Sequence, residues 1–368
     1  MSNANRFLQI SAPGIASLTP YVPGKPVAEL ERELGIKNSI KLASNENPLG
    51  PCKAAKAVIH GQLEQLARYP DGGGFELRGL LAEKHAIDSK RITLGNGSND
   101  VLDMIARVFL SPGAEAVFSQ YAFAVYAIST QAVGATARIA KADEYGHDLQ
   151  AIAALVNDKT RVVFIANPNN PTGTWLRAGP LKAFIASLPE HVVVVVDEAY
   201  VEYVQHDDYP DASLWLDEFP NLIVTRTFSK AYGLAGLRVG YALSHAEVAD
   251  LLNRVRQPFN VNSLALAAAA AALQDQQHIA AAVQLNTQGM HQYEQAFDSM
   301  GLSWIASAGN FITVDLQRPA GEIDQLLLRE GVITRPVANY GMPNHLRISI
   351  GTQAENQRCI QALEKVLA

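Results

Sequence analysis

Between residues 114 and 227 the chain alternates short apolar runs with longer amphipathic stretches. AEAVFS, ATARIA, RVVFIAN, HVVVVVD and NLIVTRT are the short runs, several of them apolar at odd and even positions alike. Successive side chains of a strand point to opposite faces, so a run apolar throughout is buried on both. The pattern predicts an α/β architecture, a mostly parallel sheet covered by helices. Upstream, Lys53 to Ala67 and Phe75 to Ala86 carry helical spacing. A short strand over Ile92 to Leu94 then leads, through Gly95-Asn96-Gly97-Ser98-Asn99, into a helix with apolar positions 101, 104, 105, 108 and 109.

Beyond about residue 260 the texture changes. VNSLALAAAAAALQD and QHIAAAVQLNTQGMHQYEQAFDSMG read as long helices. GNFITVDL, GVITRPV and HLRISIG read as strands of a smaller α+β unit closed by a helix from Glu355 to Ala368. At the other end, Pro20, Pro23 and Pro26 keep Tyr21 in extended or turn backbone, a short helix pattern follows in VAELERELGI, and KLASNENPLGP reads as a loop. The expected division is an amino-terminal arm over 1–40, a large unit over 41–260 and a smaller unit over 261–368.

Composition narrows the classes of function. Of 368 residues, 18% are charged, with a net charge of −6. No basic excess favours nucleic acid. Cys52 and Cys359 are far apart, which argues against a disulfide framework or a metal site and fits a reducing compartment. MSNANRFLQISAPG lacks the apolar core of a signal peptide. The apolar run from Leu264 to Leu273 is about half a membrane span. The expectation is a soluble, cytoplasmic protein.

Ligands of open α/β sheets bind at the carboxyl ends of the strands. RVVFIAN is followed by Pro168-Asn169-Asn170-Pro171-Thr172-Gly173, HVVVVV by Asp197-Glu198-Ala199-Tyr200, and NLIVTRT by Ser229-Lys230. These ends offer an amide, a carboxylate with a phenol, and an amine. Lysine attacks a carbonyl carbon only as the neutral amine, so the site must desolvate it or surround it with cations. Arg226 and Arg238 lie close by in sequence. The glycine-flanked helix start at Ser98 and Asn99 suits a phosphate, although either residue also suits a plain N-cap. Asp197 could equally cap a strand end, and Asn170 could be an ordinary turn residue. Together the set matches the needs of pyridoxal 5′-phosphate: an amine for its aldehyde, a carboxylate for its ring nitrogen, and a phosphate site.

KLASNENPLGP, RYPDGG, NPNNPTG, VVVDEAYVEY, RTFSKAYGLAGLRVGY and LRISIGT together resemble the fold-type-I pyridoxal-phosphate-dependent aminotransferases, and within them the histidinol-phosphate aminotransferases. The resemblance runs from about Tyr21 to the carboxyl terminus. It implies that Lys230 is the lysine bonded to the cofactor and moves the proton, and that Asp197 pairs with the ring nitrogen. Asn170 and Tyr200 are implied to hold the phenolate oxygen, with Phe123 stacked on the ring. Ser98, Asn99, Ser229 and Arg238 are implied to bind the phosphate, with Tyr69 reaching it from the other subunit of a homodimer. For substrate it implies Arg347 at the carboxylate, Tyr21 of the partner nearby, Asn170 alongside, and Arg335 as a candidate second cation for a substrate phosphate. The expected reaction joins histidinol phosphate and 2-oxoglutarate. The rivals are an aromatic amino-acid aminotransferase, a threonine-phosphate decarboxylase-like lyase, and a regulatory module that senses the cofactor. The last normally adds a DNA-binding domain, for which the short arm has no basic helix-turn-helix.

Overall fold

The computed structural model describes Asn5, residues 7–20 and residues 24–368. Tyr21 lies outside the described residues. In chain order the first elements are α1 (Val27–Leu34), β1 (Ile40–Lys41), α2 (Lys53–Gln62), α3 (Phe75–His85), β2 (Ile92–Gly95), α4 (Ser98–Phe109), β3 (Glu115–Ser119), α5 (Ala124–Ala132), β4 (Thr136–Ala140), α6 (Leu149–Leu155), β5 (Thr160–Ala166), α7 (Ala178–Ser187), β6 (Val193–Asp197), β7 (Leu222–Thr227), β8 (Gly240–Ser244) and α8 (Ala246–Val255).

Among the described residues, the large sheet runs β2-β8-β7-β6-β5-β3-β4. Its strands from β3 to β7 pair in parallel, and β8 runs antiparallel to both its neighbours. β6 and β7 are buried at every position, and β5 at all but Arg161. That is the double-faced burial their apolar runs predict. ATARIA differs: as β4 it forms the sheet edge and leaves Thr136, Arg138 and Ile139 exposed. β8 falls in a stretch whose glycines mask its strand character.

The rest comprises α9 (Ser263–Gln274), α10 (Gln276–Met300), β9 (Ser303–Ile305), β10 (Phe311–Asp315), α11 (Ala320–Arg329), β11 (Val332–Ile333), β12 (Arg335–Pro336), β13 (His345–Ser349) and α12 (Gln353–Leu367). GVITRPV splits between two sheets. β11 pairs in parallel with β1, so KLAS begins as a strand and not as a loop, while β12 joins the antiparallel order β12-β13-β10-β9. α12 starts in a capping box, with Thr352 and Glu355 each satisfying the other's backbone N–H.

The large sheet buries a core on each face. On one face Val162, Phe164, Val195 and Ile223 pack against Val101 and Ile105 of α4. On the other, Val163, Val196, Val224 and Phe228 share a core with Ala265, Ala268 and Ala269 of α9. Alanines there let α9 lie close against the large unit. The 25-residue α10 bridges the α9 core and that of the smaller unit. It gives Ile279 to the former, and Met290, Tyr293 and Phe297 to the latter with Ile312, Val314, Leu346 and Ile348.

Candidate functional site

β5, β6 and β7 are adjacent and parallel, so the segments after them open at one edge of the sheet. There they meet the start of α4, the loop after β1, and β12 and β13 of the smaller unit. The resulting cleft encloses about 950 Å³ of non-protein space, its open mouth included. Ser98, Asn99, Phe123, Asn170, Asp197, Tyr200, Ser229, Lys230, Arg238, Arg335 and Arg347 all line it. Tyr69 does not. It is 82% exposed and stacks on Phe259, with ring centroids 4.7 Å apart, beside a separate depression.

Lys230 Nζ donates to the carbonyl oxygen of Ser44 at 3.0 Å and sits 5.6 Å from the centre of the Tyr200 ring. Burial lowers its ammonium to about 7, helped by Arg347 and Arg238 and opposed by Glu46. Arg226 plays no part as a neighbouring cation in the cleft, contrary to its closeness in sequence. Alternation along β7 sends it away from the cleft, where it bonds to Glu198 and Asp211.

Asp197 is 5% exposed. Tyr126 Oη donates to its Oδ2 at 2.9 Å and Thr225 Oγ1 to its Oδ1 at 3.0 Å. Burial raises its carboxyl, against the pull of these hydrogen bonds, the Ala199 N–H and Lys230. The Tyr200 phenol is pushed up to about 12 by burial, with Arg347 and a hydrogen bond from Asn45 opposing. It stays protonated at neutral pH and can donate.

Gly97, with φ +83°, precedes α4. A Cβ on Gly97 would lie 2.5 Å from Arg238 Nη2, and one on Gly240 would lie 2.4 Å from the Ser98 nitrogen. Gly97 needs glycine for its positive φ, and Gly240 because the backbone of the helix start is packed against it. Arg238 Nη1 also donates to Ser229 Oγ at 3.3 Å. The start of α4, Ser98, Ser229 and Arg238 thus converge, a donor set suited to a phosphate.

On the smaller unit, Arg335 lies directly opposite Arg347 in the β12–β13 pair. Arg347 Nη1 donates to Asn170 Oδ1 and Nη2 to the Ala43 carbonyl at 2.7 Å. That bond turns the Asn170 amide nitrogen toward other partners. Residues to which the sequence assigns no role also reach the site: Asn45, Tyr126, Thr225 and Tyr340. Asn45 reads as one more turn residue, and Tyr126 as part of an apolar helix face. Alternation with the apolar residues of NLIVTRT is the one signal that could have flagged Thr225.

The donor set fits pyridoxal 5′-phosphate. A half-buried amine of lowered basicity suits an aldehyde, and a buried carboxylate held by neutral donors suits a protonated ring nitrogen. A helix start packed against an arginine suits a phosphate. Among the described residues no group of His, Cys, Asp and Glu could hold a metal ion.

Residues 37–363 match the family described as aminotransferase class I and II. The chain is 61% identical to histidinol-phosphate aminotransferase 2 of Pseudomonas aeruginosa over 98% of this chain and 99% of that one. It is 58% identical to the protein of the same name in Methylococcus capsulatus, over 97% and 98%. Among solved structures, histidinol-phosphate aminotransferase from Sinorhizobium meliloti in complex with pyridoxal 5′-phosphate superposes with a TM-score of 0.88 at 29% identity, covering 100% of this chain and 98% of that one. With the cleft as described, these matches place the chain in the class I and II aminotransferase family, among its histidinol-phosphate aminotransferases.

Proposed function

We propose that the chain moves an amino group between L-histidinol phosphate and 2-oxoglutarate, giving imidazole acetol phosphate and glutamate, a step of histidine biosynthesis. Its cofactor is pyridoxal 5′-phosphate, which when bound supplies a ring that withdraws electrons from the reacting substrate carbon. The observation that carries the reading is the placing of Lys230 and Asp197 in one cleft with paired arginines, Arg335 and Arg347, on its other wall.

Lys230 Nζ, with a pKa of about 7, has a neutral fraction able to take a proton from the substrate carbon and return it. With the cofactor bound, Asp197 would keep a proton on the ring nitrogen, because an opposite charge at close range favours the charged form. Asn170 and Tyr200 would hold the ring's phenolic oxygen and Phe123 would lie against the ring. Ser98, Asn99, Ser229 and Arg238 would hold the phosphate. Arg347 suits the carboxylate of glutamate, for which a guanidinium is a bidentate partner. Histidinol phosphate lacks a carboxylate and presents a phosphate, for which Arg335 supplies the second cation.

The working unit is a homodimer with shared sites. Tyr69 stands outside its own cleft, and Leu63, Leu66 and Phe75, close to it in sequence, are exposed. Exposed apolar side chains suit a subunit contact that would carry Tyr69, and the arm with Tyr21, to the partner's cleft. The chain divides into the arm over 1–40, a large unit from 41 and a smaller unit to 368. The boundary is proposed near 260, with the alanines of α9 packing back onto the large unit. Two buried free cysteines fit a cytoplasmic setting. Among the described residues no helix is long and apolar enough to cross a membrane.

The test is a substrate panel with 2-oxoglutarate as acceptor and glutamate as readout. A kcat/KM for histidinol phosphate above those for phenylalanine and tyrosine upholds the reading. The reverse order makes the protein an aromatic aminotransferase, and carbon dioxide release without glutamate makes it a lyase.

A further inference from the structure

Asn45 has a positive φ of 55° and is 1% exposed. Its polar groups are all engaged. Its backbone N–H donates to Ser349 Oγ at 2.7 Å, and Ser349 Oγ donates back to Asn45 Oδ1 at 3.2 Å. Asn310 Nδ2 donates to the Asn45 carbonyl at 3.0 Å. Asn45 Nδ2 donates to Tyr200 Oη at 2.9 Å.

The direction of the last bond follows from the others. Ser349 Oγ already accepts the Asn45 backbone N–H, so its own proton is free to donate. Turned the other way, the amide would aim a second N–H at Ser349 Oγ and leave that hydroxyl proton without Oδ1 as acceptor. Ser349 is buried, and burying an unpaired polar group is costly. The satisfied arrangement therefore places Nδ2 against Tyr200. Tyr200 Oη receives a hydrogen bond there, which leaves its own proton to be donated elsewhere, and the cleft is where the side chain lies.

We propose that Asn45 is a positioning residue that makes Tyr200 a hydrogen-bond donor toward the cleft, through the chain Ser349 to Asn45 to Tyr200. The proposal rests on the reading of Tyr200 as partner of the cofactor's phenolic oxygen. Ser349 lies on β13 of the smaller unit and Tyr200 after β6 of the large one, so the hydroxyl is set by the fit between the two units. The charged and titratable groups facing Tyr200 are Arg347, Asp197, Tyr340, Tyr203 and Lys230.

The test uses the loaded protein and follows its visible absorbance against pH. A donor on the phenolic oxygen withdraws electron density and favours the proton-poor form of the bound group, so losing it raises the pH midpoint. Asn45→Asp keeps size and tolerates positive φ, but its carboxylate accepts the Tyr200 proton and turns the donor away from the cleft. The expected result is a midpoint raised by about one pH unit, a tenfold change in proton binding. Ser349→Ala, which frees the amide to turn, is expected to move it the same way by less. Tyr200→Phe is expected to raise it at least as far, and adding Asn45→Asp to Tyr200→Phe to move it further by much less than Asn45→Asp does alone, since only the added charge then acts. An Asn45→Asp shift equally large without the Tyr200 hydroxyl overturns the proposal, as does an unmoved midpoint in both Asn45→Asp and Ser349→Ala. An unmoved midpoint in Tyr200→Phe alone is a different failure: it removes the reading of Tyr200 on which the proposal rests.

Discussion

At the ends of β6 and β7, Asp197 and Thr225 face the cleft, while their neighbours Glu198 and Arg226 face the rear. Both carboxylates are buried. At the rear, Arg226 Nε and Nη2 donate to Glu198 Oε2 at 2.9 and 2.7 Å. Nη2 also donates to Asp211 Oδ1 at 2.6 Å, and the Ala212 N–H to Glu198 Oε1 at 3.0 Å. Burial pulls the Arg226 guanidinium down, but Glu198, Tyr241 and Asp211 outweigh it and hold it well above its ordinary value. At the front, the hydrogen bonds to the Asp197 carboxylate come from neutral groups, the Tyr126 and Thr225 hydroxyls and the Ala199 N–H. The rear is a completed ion pair, and its loss would be felt as stability. The front carries a charge that a bound cation would complete, so its loss would be felt as activity.

Lys230→Ala makes the sharpest front-face test. Steady amino transfer should fall by at least about 10⁴, since proton transfer alone is worth about 10²–10⁴ and the covalent contact goes too. The cofactor-free fold should not be weakened, because removing a desolvated amine relieves a cost, so a large drop in Tm would break the front-rear distinction. At the rear, Arg226→Met should destabilise the protein by about 3–5 kcal/mol, because it leaves a buried carboxylate unpaired. Glu198→Gln in the same chain should recover part of that loss. Denaturant unfolding checks both, and an additive double mutant would mean the pair does not act as one.

Asp197→Asn should lower kcat by about 10²–10³, the scale of losing one electrostatic partner of the reacting group. The cofactor-free protein should become more stable, not less. Asp197 has its folded pKa raised, so its contribution is present at low pH and is lost as pH rises through that value. An amide removes that loss, and thermal unfolding at neutral pH reads the sign. Arg335→Ala should reduce kcat/KM for histidinol phosphate by about 10- to 150-fold, the value of a hydrogen bond to a charged group. The reduction with a non-phosphorylated aromatic donor should be much smaller, and equal losses would remove the phosphate role.

The smallest effect is a slope. Lys230 has a folded pKa of about 7 against an ordinary 10.5. Between these values the unfolded chain binds the extra proton, so stability of the cofactor-free protein rises with pH, by at most about 1.4 kcal/mol per unit from this group. Lys230→Ala should flatten that part of the profile, and an unchanged slope would mean the amine is not desolvated.

The apolar runs RVVFIAN, HVVVVVD and NLIVTRT determined on their own that three strands would be buried on both faces, because burial on a sheet is written in a two-residue period. Their ends then named Asn170, Asp197 and Lys230 as neighbours, and the glycines around Ser98 marked the helix start. What the runs could not show was partner choice across long separations. Arg226 is four residues from Lys230 yet turns to the rear with Glu198. Asn45 is 155 residues from Tyr200 yet hydrogen-bonds to it. GVITRPV reads as one strand but divides between β1 and β13. Local pattern determines which face of an element is apolar. Which buried polar atom meets which depends on how sheets and helices stack, and only the tertiary structure decided that.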